Sequence, residues 1–307
     1  VSGGRPVLIA GPTASGKSGL AVALAERLGG MVINADSQQV YAGWRILSAR
    51  PSEAEMARAE HRLFGHVAMD ADYSVGRWLA DLAQVLEDCR ARGLRPIIAG
   101  GTGLYFKALT QGLAEIPPIP QAVRKAGEAR LEAAGLAEFA AELSRRDPET
   151  FAALDPANPV RVLRAWEVLE ATGRGLAAWK RETPPPLLPL AEVATLRIEP
   201  EREALYAACE ARLDAMVAGG VLEEVAAVRA MGLDPESPAM KAVGAPEFMA
   251  HLAGEIPLDE AVAKAKLATR RYAKRQLTWA RQQMADWQVL AGPDLEAALA
   301  CLREPGP

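Results

Sequence analysis

The chain is poor in the residues that most often hold metals or staple folds: three cysteines and three histidines in 307 residues. Cys89, Cys209 and Cys301 lie far apart, are odd in number and include no C-x-x-C pair, so neither a disulfide framework nor a cysteine zinc site is expected. His61, His66 and His251 have no metal-ligand spacing and read as structural histidines. No apolar run approaches the ~20 residues of a membrane span. The opening residues lead straight into an apolar strand, so no secretory leader is expected. A reducing cytoplasm is the expected compartment. Positive charge is in deficit, with 35 Lys and Arg against 39 Asp and Glu, a formal net charge of −4. That total argues against a protein coated in nucleic acid, although the distribution of charge matters more. With hydrophobic residues making up 50% of the chain, a sizeable core is expected, and the length suggests about two domains.

What is present begins with Gly11-Pro12-Thr13-Ala14-Ser15-Gly16-Lys17-Ser18, which fits the P-loop pattern G-x-x-x-x-G-K-[ST]. An apolar run, Pro6 to Ala10, precedes it, and a good helix former, Gly19 to Leu28, follows. In that setting the loop N–H groups and the positive end of the helix dipole wrap a phosphate. Lys17 supplies a mobile cation, and Ser18 a hydroxyl for Mg²⁺. A turn that only caps a helix is the plainer alternative.

Three short apolar runs read as core strands: Val7 to Ala10, Met31 to Asn34 and Pro96 to Ala99. A fourth candidate is Val193 to Ile198. Helical stretches around 17–28 and 76–92 alternate with them, which points to a parallel α/β sheet flanked by helices. Two proline-rich joints, Ile116 to Pro120 and Thr183 to Pro186, enclose a segment rich in Ala, Leu, Glu and Arg with nothing strand-like. The expected organisation is a core of 1–116 and 187–307 with an inserted all-helical subdomain at 117–186. After the fourth strand the chain reads as helical almost to its end, over 201–218, 220–231, 258–285 and 293–303.

Asp36 stands beyond the second strand, on the sheet edge where α/β proteins bind ligands. It suits a general base, a metal-supporting carboxylate or a helix cap. Gly100-Gly101-Thr102-Gly103 follows the third strand, where an ATP-hydrolysing P-loop protein often carries an acid. The glycines allow close approach to a ligand or simply a tight turn. The run from Ala263 to Arg281 holds no acid at all, which suits a helix lying on a phosphate backbone. Leu267, Tyr272 and Trp279 in it would anchor the helix or stack on bases. A solvated face paired with acids elsewhere competes with that reading. Arg212, within an expected helix, and Lys241, opening a turn-like Lys241-Ala242-Val243-Gly244, are weaker candidates. Arg212 would otherwise be a surface ion pair.

Taken together, the stretches GPTASGKS at 11–18, NADSQQVY at 34–41, HRLFGHV at 61–67, IIAGGTGLYFKAL at 97–109, NPVRVLRAWEV at 158–168, KAVG at 241–244 and ATRRYAKRQLTWAR at 268–281 resemble one family across nearly the whole chain, the tRNA dimethylallyltransferases. The resemblance implies a P-loop NTPase-like α/β core with a deep channel, and a helical insert that binds tRNA. It implies transfer of a dimethylallyl group from dimethylallyl diphosphate to the exocyclic amine of the adenine 3′ of the anticodon, after that base has flipped into the channel.

The P-loop then holds the diphosphate leaving group, which fits the missing acid after the third strand. By position in the motifs, Asp36 resembles the general base and Thr102 the threonine on the diphosphate side. Lys17 and Arg212 would balance charge on the leaving group, and Ser18 would help hold the Mg²⁺ cofactor. Segments matching tRNA contacts are Asp36-Ser37-Gln38-Gln39, Thr102, Arg124, Val160-Arg161-Val162-Leu163-Arg164, Lys241-Ala242-Val243-Gly244 and Lys274-Arg275-Gln276-Leu277-Thr278-Trp279-Ala280-Arg281. The implied partners are the tRNA anticodon stem-loop and dimethylallyl diphosphate, with no membrane, and the chain is expected to act as a monomer.

Two departures stand out. Ala245 and Pro246 occupy positions where the family carries an aromatic and a basic residue, and no Cys/His finger follows the basic run. A small-metabolite kinase would explain residues 1–110 as well, but neither the basic run nor the insert. A nucleotide switch that docks on RNA lacks a specificity motif here. An enzyme that prenylates free adenylate gives the basic run no purpose.

Overall fold

A computed structural model of the chain describes residues 4–303. The described residues form two compact units, 4–110 with 187–303, and Gln111–Pro186.

The larger unit is built on a six-stranded sheet. Its strands are β1 (Val7–Ala10), β2 (Gly30–Asn34), β3 (His61–Arg62), β4 (Arg95–Gly100), β5 (Ala194–Ile198) and β6 (Gln288–Leu290). They are parallel throughout, in the order β3-β2-β4-β1-β5-β6. β1 is buried along its whole length, as a strand covered by helices on both faces must be. One face packs on α1 (Lys17–Leu28) through Leu20, Leu24 and Val22. α2 (Glu53–Arg58) is a short surface turn held by a Ser52–Glu55 capping box. The other face packs on α3 (Val75–Arg92) and α4 (Gly103–Gln111), where Trp78 stacks on Tyr105 with centroids 4.3 Å apart.

Within the unit Gln111–Pro186 all regular structure is helical: α5 (Gln121–Arg146), α6 (Pro148–Ala152), α7 (Pro159–Thr172) and α8 (Leu176–Arg181). Its core is Phe139, Leu143, Val162, Ala165 and Trp166. Gly135 breaks α5 with a φ of 74°. Gly112, with φ 84°, lies so close to the Pro184 carbonyl that any Cβ would strike it, so the two ends of this unit meet.

The chain then adds α9 (Arg202–Ala218), α10 (Val221–Arg229), α11 (Ala245–Leu252), α12 (Leu258–Gln283) and α13 (Leu295–Arg303) to the larger unit. α12 turns a stripe of small residues inward, Ala261, Ala265, Thr269 and Ala273. Small side chains at that spacing bring it close to α9. Arg197 on β5 donates to the carbonyls of Ala280 and Met284 at 3.1 and 3.2 Å, capping the last turn of α12.

Where the sequence reading expects helix almost to the end, β6 intervenes. It is only Gln288, Val289 and Leu290 and is exposed on two of three residues, so its apolar signal is weak. β3 is shorter still and was missed for the same reason. The Ala245-Pro246 departure begins α11: Ala245 is fully buried and the proline occupies the first turn, where it needs no N–H partner.

Candidate active site

The P-loop leaves β1 and reaches α1 through two left-handed residues, Ala14 at φ 61° and Gly16 at φ 79°. Lys17 folds back so that Nζ donates to Pro12 O at 3.2 Å, and its side chain is buried. Burial pulls the Lys17 ammonium down to about 8, with Asp36 opposing the shift and Arg212 adding to it. Ser15 is buried too, and its Oγ has no protein partner. An unsatisfied hydroxyl in a loop built for anions invites a ligand oxygen.

Asp36 is aimed by its neighbour in the strand. Asn34, fully buried at the end of β2, accepts the Asp36 N–H through Oδ1 at 2.9 Å and donates through Nδ2 to Asp36 O and Leu63 O, both at 2.9 Å. Asp36 Oδ1 accepts the Gln38 N–H at 2.9 Å. That bond closes an Asx turn and no helix follows it, so the helix-cap reading does not hold, while Oδ2 faces the glycine turn, 3.4 Å from where a Gly101 Cβ would sit. Thr102 comes to the same place: its Oγ1 accepts the Ser37 N–H at 2.9 Å and donates to Ser37 Oγ at 3.2 Å.

Arg212 is not a surface ion pair. It lies within α9, contacts Thr13 Oγ1, and has no acidic partner within 4.0 Å among the described residues. Burial lowers its basicity, with Cys209 and Asp36 acting in the opposite direction. Thr13, Asp36 and Arg212 thus line one cavity of about 50 Å³. A second cavity of about 280 Å³ is lined by Gly11, Thr102, Tyr272, Arg275, Gln276 and Trp279, among others. Tyr272 belongs to both. Burial raises its phenol well above the ordinary tyrosine value, with Asp36 adding to the shift, so it stays protonated.

The basic run needs correction in part. It holds no acid, but neighbouring residues supply several: Lys264 pairs with Glu260, Lys266 with Asp214, Arg270 with Glu210 and Arg281 with Glu199. Among the described residues Arg271, Lys274 and Arg275 alone in the run's cations have no acid within 4.0 Å. Leu277 and Ala280 turn inward, as do Val162 on α7 and Ala242, so those side chains serve the core. Thr278 stands exposed between them and Leu163 is partly buried. Arg124, Arg161 and Val160 are exposed in the helical unit, and Arg164 pairs with Glu167 at 3.3 Å. Lys241 reaches Glu236 at 3.2 Å. Val243 and Gln38 line the smaller cavity, whereas Gln39 is buried and donates to Ser48 O and Ala49 O. The sequence reading quotes Asn34 within a motif but gives it no role. Its signal is a polar residue inside an apolar strand run.

Residues 39–283 match the family described as IPP transferase, and residues 5–66 the one described as isopentenyl transferase. The chain is 59% identical over 289 residues to the tRNA dimethylallyltransferase of Cereibacter sphaeroides strain KD131, covering 94% of this chain and 90% of that one. It belongs to the tRNA dimethylallyltransferase family. The tRNA dimethylallyltransferase of Nitrobacter hamburgensis is 53% identical over 98% of this chain and 95% of its own. Among solved structures, a eukaryotic dimethylallyltransferase described as acting on tRNA superposes with a TM-score of 0.79 at 26% identity, over 94% of this chain and 73% of that one. The tRNA isopentenylpyrophosphate transferase of Bacillus halodurans gives 0.67 at 32% identity, over 93% and 89%. As a tRNA dimethylallyltransferase family member the chain is a prenyltransferase, and its P-loop-like α/β core is the one its sequence resemblance implied.

Proposed function

We propose that the protein transfers the dimethylallyl group of dimethylallyl diphosphate to the exocyclic amine of the adenine 3′ of the anticodon in tRNA, releasing diphosphate. The observation that carries this reading is the meeting of Thr13, Asp36 and Arg212 on one cavity. A P-loop residue, an arginine and a carboxylate line the same space there.

In this reading the loop N–H groups, Lys17 and Arg212 hold the diphosphate and stabilise the charge it gains as the allylic C–O bond breaks. The bonding electron pair leaves with the diphosphate. The amine nitrogen forms the new bond to carbon, and its proton passes to the Asp36 carboxylate. The exocyclic amine is a weak nucleophile because its lone pair is delocalised into the ring, so positioning and proton removal are the contributions the protein must make. Thr102, tied to Ser37 beside Asp36, keeps the glycine turn and the carboxylate loop together.

Mg²⁺ fits these residues. Ser18 offers a hydroxyl at the start of α1, and Ser15 Oγ is unsatisfied nearby in sequence. No group of three or more His, Cys, Asp or Glu gathers among the described residues, as suits an ion held largely by substrate phosphates and water. Bound there, Mg²⁺ would neutralise diphosphate charge.

The acceptor is tRNA, in keeping with the names of the relatives and with the neighbour described as acting on tRNA. The exposed cations Arg271, Lys274 and Arg275 suit its phosphates, and Trp279 with Tyr272 suits an unstacked base. The test is incubation with unmodified tRNA, Mg²⁺ and either labelled dimethylallyl diphosphate or labelled ATP. Label entering tRNA from the first alone is expected. Label from ATP, or from neither, sinks the reading.

A further inference from the structure

The turn that carries Asp36 holds a second acceptor with no donor. Gln38 lines the same cavity as Thr13, Asp36 and Arg212. Its side-chain oxygen Oε1 is buried and has no hydrogen-bond partner among the described residues. A buried carbonyl oxygen left unpaired is destabilising, and in a native protein it calls for an explanation. The polar side chains around the cavity supply no donor, because they are turned elsewhere. Ser48 Oγ donates to Trp44 O, and Thr269 Oγ1 to Ala265 O at 2.8 Å. Cys209 Sγ lies 3.9 Å from Thr13 O, and Arg212 reaches Thr13 Oγ1.

The turn itself is held on several sides. Asn34 Oδ1 accepts the Asp36 N–H and Thr102 Oγ1 the Ser37 N–H, both at 2.9 Å. Gln38 N–H is bound to Asp36 Oδ1 at 2.9 Å, and Gln39 Nε2 donates to Ser48 O at 2.8 Å and Ala49 O at 3.0 Å. Asp36 and Gln38 therefore offer their acceptors to one cavity from a fixed backbone. A ligand that satisfies both must bring two donors close together. The exocyclic amine of adenine does so, with two N–H groups on one planar nitrogen, whereas an oxygen at that place on a purine brings only lone pairs.

We infer that Gln38 Oε1 accepts the amine hydrogen that is retained, while the Asp36 carboxylate takes the one that leaves, so that Gln38 selects an unsubstituted amine. This rests on the functional reading given above. The allylic C–O bond breaks and its electron pair goes to diphosphate. The N–C bond forms, one amine proton passes to Asp36, and the other stays on nitrogen against Gln38. Both hydrogen bonds lie in the plane of the base. The nitrogen lone pair stands perpendicular to that plane and is left free to meet the carbon.

The test uses tRNA assembled with either adenosine or N6-methyladenosine 3′ of the anticodon, together with dimethylallyl diphosphate and Mg²⁺. Prenylated nucleoside is measured by mass spectrometry after digestion. The methylated amine has one N–H and cannot serve both acceptors, so the unaltered protein is expected to prefer adenosine by more than about a hundredfold in kcat/KM. Gln38→Ala and Gln38→Met remove the acceptor, and each is expected to lower that preference about tenfold or more. Both keep the backbone bond to Asp36, and the methionine keeps the length of the side chain, so it decides the matter if Gln38→Ala fails to fold. A Gln38 that only shapes the turn would lower both substrates alike. A preference unchanged within about twofold in the folded variants, or equal loss of both substrates, therefore overturns the inference. So does equal use of the two substrates by the unaltered protein. Absence of transfer to adenosine by the unaltered protein overturns the functional reading instead, and the inference with it.

Discussion

Gln276 Oε1 accepts the backbone N–H of Thr13 at 2.8 Å. Its Nε2 donates to Gly101 O at 2.9 Å, and Gly101 has no room for a Cβ against that amide. One side chain on α12 thereby ties the P-loop to the glycine turn, so the helix that carries Arg271, Lys274 and Arg275 is also a wall of the cavity beside the P-loop, the proposed diphosphate site. Gln276→Ala removes both bonds, each worth about 1 kcal/mol net. The expected result is a roughly tenfold weaker KM for dimethylallyl diphosphate. Gln276→Glu retains the acceptor for Thr13 and is expected to fall between the two. Steady-state kinetics at saturating tRNA checks this, and an unchanged KM in Gln276→Ala refutes the tie.

Asp36→Ala removes the proposed proton acceptor without disturbing the Asn34 contacts to the backbone. Transfer is expected to fall by about 10²–10⁴-fold, with tRNA affinity changed little. Single-turnover rates and filter binding on the same preparation separate the two. Activity equal to the unaltered protein would rule out the base assignment.

Lys17 gives a pH signature. Burial holds its ammonium down to about 8, and a diphosphate placed beside it stabilises the charged form and moves it back up. At about pH 9 the free protein has mostly neutral Lys17 and must take up a proton when diphosphate binds, whereas at about pH 6.5 it is already charged. Titration calorimetry in buffers of different ionisation enthalpy is expected to show proton uptake at the higher pH. Lys17→Arg, which stays charged, should abolish that component. Uptake that persists in Lys17→Arg assigns it elsewhere.

The ion pairs on α12 sort its cations into two groups. Replacing both Lys274 and Arg275 with Gln is expected to weaken tRNA binding and reduce the salt slope by about 1 to 2. Replacing Lys266, already bonded to Asp214 at 2.7 Å, is expected to leave the slope nearly unchanged. Binding isotherms across a salt series test both arms. Equal slopes for all three proteins would mean that this face does not meet the phosphates.

Gly103 opens α4 directly beneath Trp279, and a Cβ there would run into the indole ring. Gly103→Ala is expected to destabilise the protein by about 1–3 kcal/mol through overpacking and to displace Trp279. Thermal melting with tryptophan fluorescence reads both effects, and an unshifted melt and spectrum would contradict the contact.

The P-loop, Asp36, Thr102 and the four longer strands were legible because each rests on a local pattern: fixed residues at fixed offsets, or apolar runs bounded by turns. β3 and β6 were not, since two or three partly exposed residues carry no periodic signal. The state of the basic run was half legible. Its cations are visible in the sequence, but the acids that neutralise four of them come mostly from α9 and from Glu199 just after β5, far away in the chain. Arg212 shows the same limit in reverse. Nothing local separates it from a surface arginine, and only the approach of α9 to the P-loop gives it a partner. Asn34 and Gln276 were seen as members of motifs. Their work of aiming Asp36 and joining two loops depends on groups brought together by the sheet.

The doorway formed by Gly112 and Pro184, and the bond from Leu188 N to Leu109 O at 3.1 Å just outside it, has a consequence for the order of folding. β1 cannot complete its pairing until β5 arrives, and β5 lies beyond the whole helical unit in sequence. An unstructured chain of that length would have to close a long loop, at an entropic cost that slows long-range pairing. Helices α5 to α8 rest on local contacts and form fast. Once they have collapsed onto their own core, the stretch between the end of α4 and the approach to β5 is closed by a single backbone bond, Leu188 N to Leu109 O. The helical unit then acts as a stitch that draws the two halves of the sheet together.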